Sequence, residues 1–167
     1  MNDQISRREV DGKIQKPIAY LVCNFAAPVG DNPSLLTLRD VETIFHEFGH
    51  GLHHMLTRQT ELAVSGISGV EWDAVEMPSQ FMENFVLNWD VMQTITHHVK
   101  TGKTMPRELF DKLVAAKNYG AGMANVRQIE FALFDMLLHM DTHPQKDTVN
   151  KILTEVRKEI AVTFPPE

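Results

Sequence analysis

His46-Glu47-Phe48-Gly49-His50, running on as Gly51-Leu52-His53-His54, is the stretch on which the reading of this chain turns. Helix propensity and apolar spacing place it inside a helix over residues 38–58, with Thr37 as the N-cap candidate and Asp40 and Glu42 in the early turns. Residues four apart on a helix lie roughly 40° apart around the axis and one turn apart along it. His46 and His50 therefore project from one face and can share a metal ion, while Glu47 lies beside that face, placed to act on water rather than on the metal. Val41, Phe45, Phe48, Leu52 and Leu56 form a separate apolar stripe, spaced as a core-facing helix requires. That stripe argues against a surface helix with two solvated histidines and for a site at the edge of a core.

His53 and His54 follow on the same helix, and His54 continues the ligand row. Successive turns are about 5.4 Å apart and a zinc–nitrogen bond is about 2.1 Å, so three ligands from one straight helix rarely converge on one ion. Both are read as substrate-facing, solvated or supporting groups and not as ligands. Glu42, one turn before His46, is a candidate acceptor for a ligand histidine's second ring nitrogen; a solvated first-turn acid is an alternative at least as strong.

The rest of the chain sets the bounds. Its 167 residues suffice for one domain, expected over 1–167, with 43% apolar and 23% charged residues as in ordinary globular proteins. A net charge of −6 disfavours nucleic acid or an anionic membrane as partner. One cysteine, Cys23, excludes an internal disulfide and fits a reducing compartment. The polar N-terminus shows no secretory signal and no apolar run reaches membrane-spanning length, so a cytoplasmic location is expected.

Around the central helix, Asp11-Gly12 signals a turn and residues 16–25 read as a strand headed by Pro17. That strand serves either as sheet core or as an edge that pairs with an extended peptide. Residues 26–34 form a loop. Residues 61–72, with Gly66 and Gly69, form a mobile loop, either a plain connector or a flap over the cleft. A long helix begins within residues 73–78 and runs to about 100, with Pro78 either in its first turn or at a kink. Further helices are expected over 106–118, 123–140 and 148–162, the last closing at Phe164-Pro165-Pro166. On 123–140 the stripe Ile129, Leu133, Met136, Leu137 and Met140 reads as core.

Two histidines need a third protein ligand, and hydrolases commonly use a carboxylate. Glu71, Asp73, Glu76 and Glu83 all stand near the start of the second long helix, and spacing does not choose among them.

Three segments together carry a family resemblance: residues 16–25, residues 46–54, and Glu76-Met77-Pro78-Ser79-Gln80-Phe81-Met82-Glu83-Asn84. The chain resembles the thimet oligopeptidase and oligopeptidase A family of zinc metallopeptidases over nearly its whole length. The resemblance implies a mainly helical, zincin-like catalytic core with a short N-terminal strand or hairpin beside the metal helix. It implies one zinc ion per chain, held by His46, His50 and Glu76, with Glu47 as the catalytic base. It also implies internal cleavage of short oligopeptides. Members of that family are several times longer. The large helical region before the strand and the late segment supplying a tyrosine and a histidine to the substrate have no counterpart in this sequence. A truncated core with weak turnover is therefore expected. A zinc-binding fragment with little or no catalysis is the alternative, and bare apolar helix faces favour self-association.

Overall fold

Asp11 and Gly12 both adopt positive φ, 50° and 73°, the pair of left-handed residues that a two-residue type I′ hairpin requires. In this computed structural model, which describes residues 2–143 and 145–161, they join β2 (Arg8–Val10) to β3 (Lys13–Gln15), with Arg8 opposite Gln15 and Val10 opposite Lys13. Outside that hairpin, β1 (Asn2–Ile5) pairs antiparallel with β4 (Ile18–Tyr20), the register slipping between Asp3 and Ile5. The strand expected over 16–25 is thus only its middle. Tyr20 pairs with Asn2, so residues 21–25 have no ladder partner among the described residues. Strands persist where backbone groups are paired.

β4 lies against α1 (Leu38–Met55). Thr37 caps this helix as the sequence indicates. Its hydroxyl accepts from the Asp40 N–H at 3.2 Å, and Asp40 accepts from the Thr37 N–H at 2.8 Å, a reciprocal capping box. The backbone bond from Thr37, first among several causes, holds the Asp40 carboxyl below its usual range.

What α1 buries is not the expected stripe. Phe48 and Leu56 are exposed, and the buried positions are Gly49, Gly51 and His54. α2 (Met77–Glu83) sets this face. A Cβ on Gly49 would fall 2.5 Å from the Pro78 carbonyl oxygen and from the Ser79 Cα. Only glycine admits an approach this close, and a larger residue would drive the helices apart.

The helix expected from about 73 to 100 is three pieces: α2, a 3-10 turn over Asn84–Leu87, and α3 (Trp89–Ile95). Pro78 falls in the first turn of α2, where no intrahelical N–H is needed. Two asparagines interrupt the run by offering the backbone local partners. Asn84 Nδ2 donates to the Phe81 carbonyl at 2.9 Å, and Asn88 accepts from the Val91 N–H at 3.2 Å as the cap of α3.

The chain divides into two compact units, Met1–Phe110 and Asp111–Glu167, the boundary falling within α4 (Arg107–Lys117). In the first unit Val86, Met92 and Phe110 are buried, and the Trp89 ring lies 5.3 Å from that of Phe110. In the second unit α5 (Ala121–Met140) packs on α6 (Thr148–Ile160), with Val156 buried. The apolar stripe expected to form core on α5 is largely exposed at Ile129, Met136, Leu137 and Met140. Within the unit it is Glu130, bound by Arg157, that α5 buries. The predicted end of the last helix at Val162 and the Phe164-Pro165-Pro166 close lie outside the described residues. Among the described residues no helix is long and apolar enough to cross a membrane.

Candidate metal centre

α1 presents His46 and His50 on successive turns, their rings edge to face with centroids 5.0 Å apart and planes at 84°. Glu76 stands at the mouth of α2 as its N-cap residue. The close α1–α2 approach at Gly49 brings its carboxylate to both rings: Oε2 lies 3.2 Å from His46 Nε2 and 3.1 Å from His50 Nε2. Two ligands of a tetrahedral zinc at about 2.0–2.1 Å sit roughly 3.3 Å from each other. The observed spacings match, and the donor set of two imidazoles and one carboxylate is one that zinc accepts. Among the described residues these three form the one group of donor atoms all lying within 4.8 Å of one another. Of the acids left open by spacing, Glu71 and Asp73 stand outside the group, and Glu83 meets His46 at its other ring nitrogen.

The carboxylate of Glu76 is itself held. Ser79, fully buried, places its hydroxyl 2.8 Å from Glu76 Oε2 and 2.9 Å from the Glu76 carbonyl oxygen, donating to both. The Ser79 hydrogen bond is the first cause that holds the Glu76 carboxyl below its ordinary range; the charges of His50 and His46 add to it, and partial desolvation opposes them. Sequence reasoning assigned Ser79 no role. Its signal was available as a hydroxyl three residues after an acid at a helix start, one turn on and facing it.

Glu47 borders a cavity of about 410 Å³ together with His46, His50 and Glu76. The opposite lining comes from the loop expected over 61–72: Ile67, Val70 and Trp72, with Trp72 93% exposed at the rim. The loop's root is tied down. Ser65 is fully buried and donates to the Gln59 carbonyl at 3.2 Å. Gly66, at φ +71°, lies so near the His54 ring that a Cβ there would collide with it.

His54 therefore has a different role from those read in the sequence. It is completely buried, and its Nε2 donates to the Ile5 carbonyl oxygen at 2.8 Å, fastening β1 to the metal helix. His53 lines a second, apolar cavity of about 770 Å³ with Leu52, Val64, Phe81 and Met82. Burial, then the neighbouring His50 and His54, hold its imidazole below the usual histidine range.

Comparison with known proteins converges on one family. The family model of peptidase family M3 matches residues 1–166. Over 168 aligned residues the chain is 51% identical to oligopeptidase A of Salmonella typhimurium, covering 99% of this chain and 25% of that protein. It is 50% identical to an organellar oligopeptidase A of Arabidopsis thaliana over 143 residues, 83% of this chain and 18% of the relative. Saccharolysin of Saccharomyces cerevisiae is 34% identical over 146 residues, 87% of this chain and 20% of the relative. The chain spans about a quarter of the length of the first of these relatives. A match that runs through the hairpin, the histidine helix and everything after it leaves one assignment: the chain belongs to peptidase family M3.

Proposed function

We propose that this chain carries the zinc-binding and water-activating part of a metalloendopeptidase that cleaves short oligopeptides. The observation that carries the reading is the single oxygen Oε2 of Glu76, set 3.2 and 3.1 Å from the Nε2 atoms of His46 and His50. A zinc ion held by these three groups supplies a Lewis acid in the cavity, acidifying water and polarising a carbonyl. The chain's own residues do the remainder. Glu47, bordering the same cavity, takes a proton from the attacking water as its oxygen joins the peptide carbon. It then delivers that proton to the leaving nitrogen as the C–N bond breaks. Ser79 keeps the Glu76 carboxylate aimed at the two rings. The open face of the cavity, between Trp72 and the helix, admits an extended peptide. The single cysteine fits a cytoplasmic setting.

Slow turnover belongs to the same reading. Within the first unit, Tyr20 is exposed and stands outside the cavity lining. None of the described residues lining the cavity carries a phenol, and one donor to the developing oxyanion is typically worth about 100- to 1,000-fold in turnover. The exposed apolar residues of α5, among them Met136 and Met140, support self-association of the isolated chain.

The test combines metal content with hydrolysis of a quenched fluorescent oligopeptide. We expect one zinc per chain, retained in Glu47→Gln and absent from His46→Ala. We expect a slow cleavage rate that falls at least ~100-fold in Glu47→Gln. Equal rates from the two zinc-loaded proteins would remove Glu47 from the mechanism.

A further inference from the structure

The two histidines differ at the ring nitrogens turned away from Glu76. His46 Nδ1 lies 2.7 Å from Glu83 Oε1, both side chains being about two-thirds or more covered at 27% and 30% exposure. His50 Nδ1 is buried and has no hydrogen-bond partner among the described residues. We infer that Glu83 is a positioning residue for the metal centre. Its carboxylate accepts the Nδ1 proton of His46, fixes the neutral ring in the tautomer with its Nε2 lone pair toward Glu76, and makes that nitrogen the more basic donor.

The placement follows from helix geometry. Glu83 is seven residues after Glu76, two turns along, so both carboxylates project from nearly the same side of α2. Glu76 meets Nε2 of the His46 ring and Glu83 meets its Nδ1. One helix therefore grips one imidazole at both nitrogens, and only one of these contacts is to a direct ligand candidate. A carboxylate is a stronger acceptor for an imidazole N–H than a neutral group. Partners of this kind typically contribute 10- to 100-fold in metal affinity. His46 Nδ1 thus has a carboxylate partner in Glu83, whereas His50 Nδ1 has no hydrogen-bond partner among the described residues.

The inference rests on the proposed zinc centre, and one experiment separates the two. Zinc affinity is measured by competition with a chromophoric chelator for the unaltered chain, Glu83→Gln and Glu83→Leu. Helix content is followed by circular dichroism, and cobalt absorption is recorded for each. Glu83→Gln keeps an acceptor oxygen without the charge, whereas Glu83→Leu keeps neither. The expected order is a graded loss, ~10-fold for Gln and ~100-fold for Leu, with shifted cobalt bands and unchanged helix signal. Affinities within twofold of one another overturn the inference while leaving the zinc centre in place. A loss of affinity in Glu83→Gln that tracks a loss of helix signal overturns it in favour of a purely structural residue. An unaltered chain that binds no zinc overturns the metal reading, and this inference with it.

Discussion

Two carboxylates in this molecule each stand between two nitrogen-bearing partners, and they do opposite things. In the first unit Glu76 shares one oxygen between His46 and His50, and its side chain is 47% exposed beside a cavity. In the second unit Glu130 places Oε1 3.0 Å from Arg157 Nε and Oε2 on Arg127, and its side chain is 6% exposed. An arginine keeps its proton at every accessible pH and has no lone pair to offer. The Glu130 cluster is therefore complete as it stands, a carboxylate held by one guanidinium from its own helix and one from α6 that fastens α5 to α6. An imidazole can be neutral, and its ring nitrogen then has a lone pair directed at the same space as the carboxylate oxygen. The same count of partners makes a fastening in one place and the proposed ion-binding corner in the other. The difference lies in whether the partners can give up a proton.

The sharpest way to break this contrast is to delete each carboxylate in turn. Glu76→Ala should reduce bound zinc from one per chain to near zero, whereas Glu130→Ala should leave zinc content unchanged and lower the thermal midpoint by stranding two guanidinium groups. Zinc loss in the Glu130 variant, read by elemental analysis after dialysis, would collapse the distinction. A smaller effect is expected at Ser79. Removing its hydroxyl in Ser79→Ala takes away the leading hydrogen bond to Glu76 and should weaken zinc about 10-fold with little change in thermal midpoint. An unchanged chelator-competition curve would show that the two rings alone aim the carboxylate.

The smallest effect concerns acid. The hydrogen bond from Arg127, then that from Arg157, holds the Glu130 carboxyl below its ordinary range. A carboxyl depressed in the folded state stabilises the fold above its unfolded value of about 4.3, and that contribution is lost as pH falls through the folded value. Urea midpoints recorded from pH 6 down to pH 3 should therefore fall less steeply in Glu130→Gln than in the unaltered chain. Parallel curves would mean that the clamp does not couple to folding.

The chain's chemistry was legible at short range. His46, Glu47 and His50 could be placed on one helix because four-residue spacing is a property of the helix itself. Thr37 and Asp40 announced its start, and Asp11-Gly12 announced a turn, for the same local reason. Pro78, open between a first turn and a kink, sits in a first turn because α2 begins at Met77, while Asn84 and Asn88 divide what looked like one long helix. That division depends on side-chain to backbone bonds that propensity sums do not register. The apolar stripes misled most. Phe48 and Leu56 on α1 and Ile129 and Met136 on α5 have the period of a core face, yet they are exposed. Periodicity reports that a helix has an apolar side, not that anything in this chain covers it.

Sequence by itself determined which residues share a helix face and where that helix begins, and it offered four acids as candidate third ligands. Tertiary structure decided the rest. Spacing left four acids open and family likeness singled out Glu76; only the approach of α2 to Gly49 sets its oxygen at 3.2 and 3.1 Å from the two rings. Packing likewise buried His54 as a fastening to β1 and gave Glu83 to His46. A bond between residues 37 positions apart depends on how two helices are pressed together, and no local pattern encodes that distance.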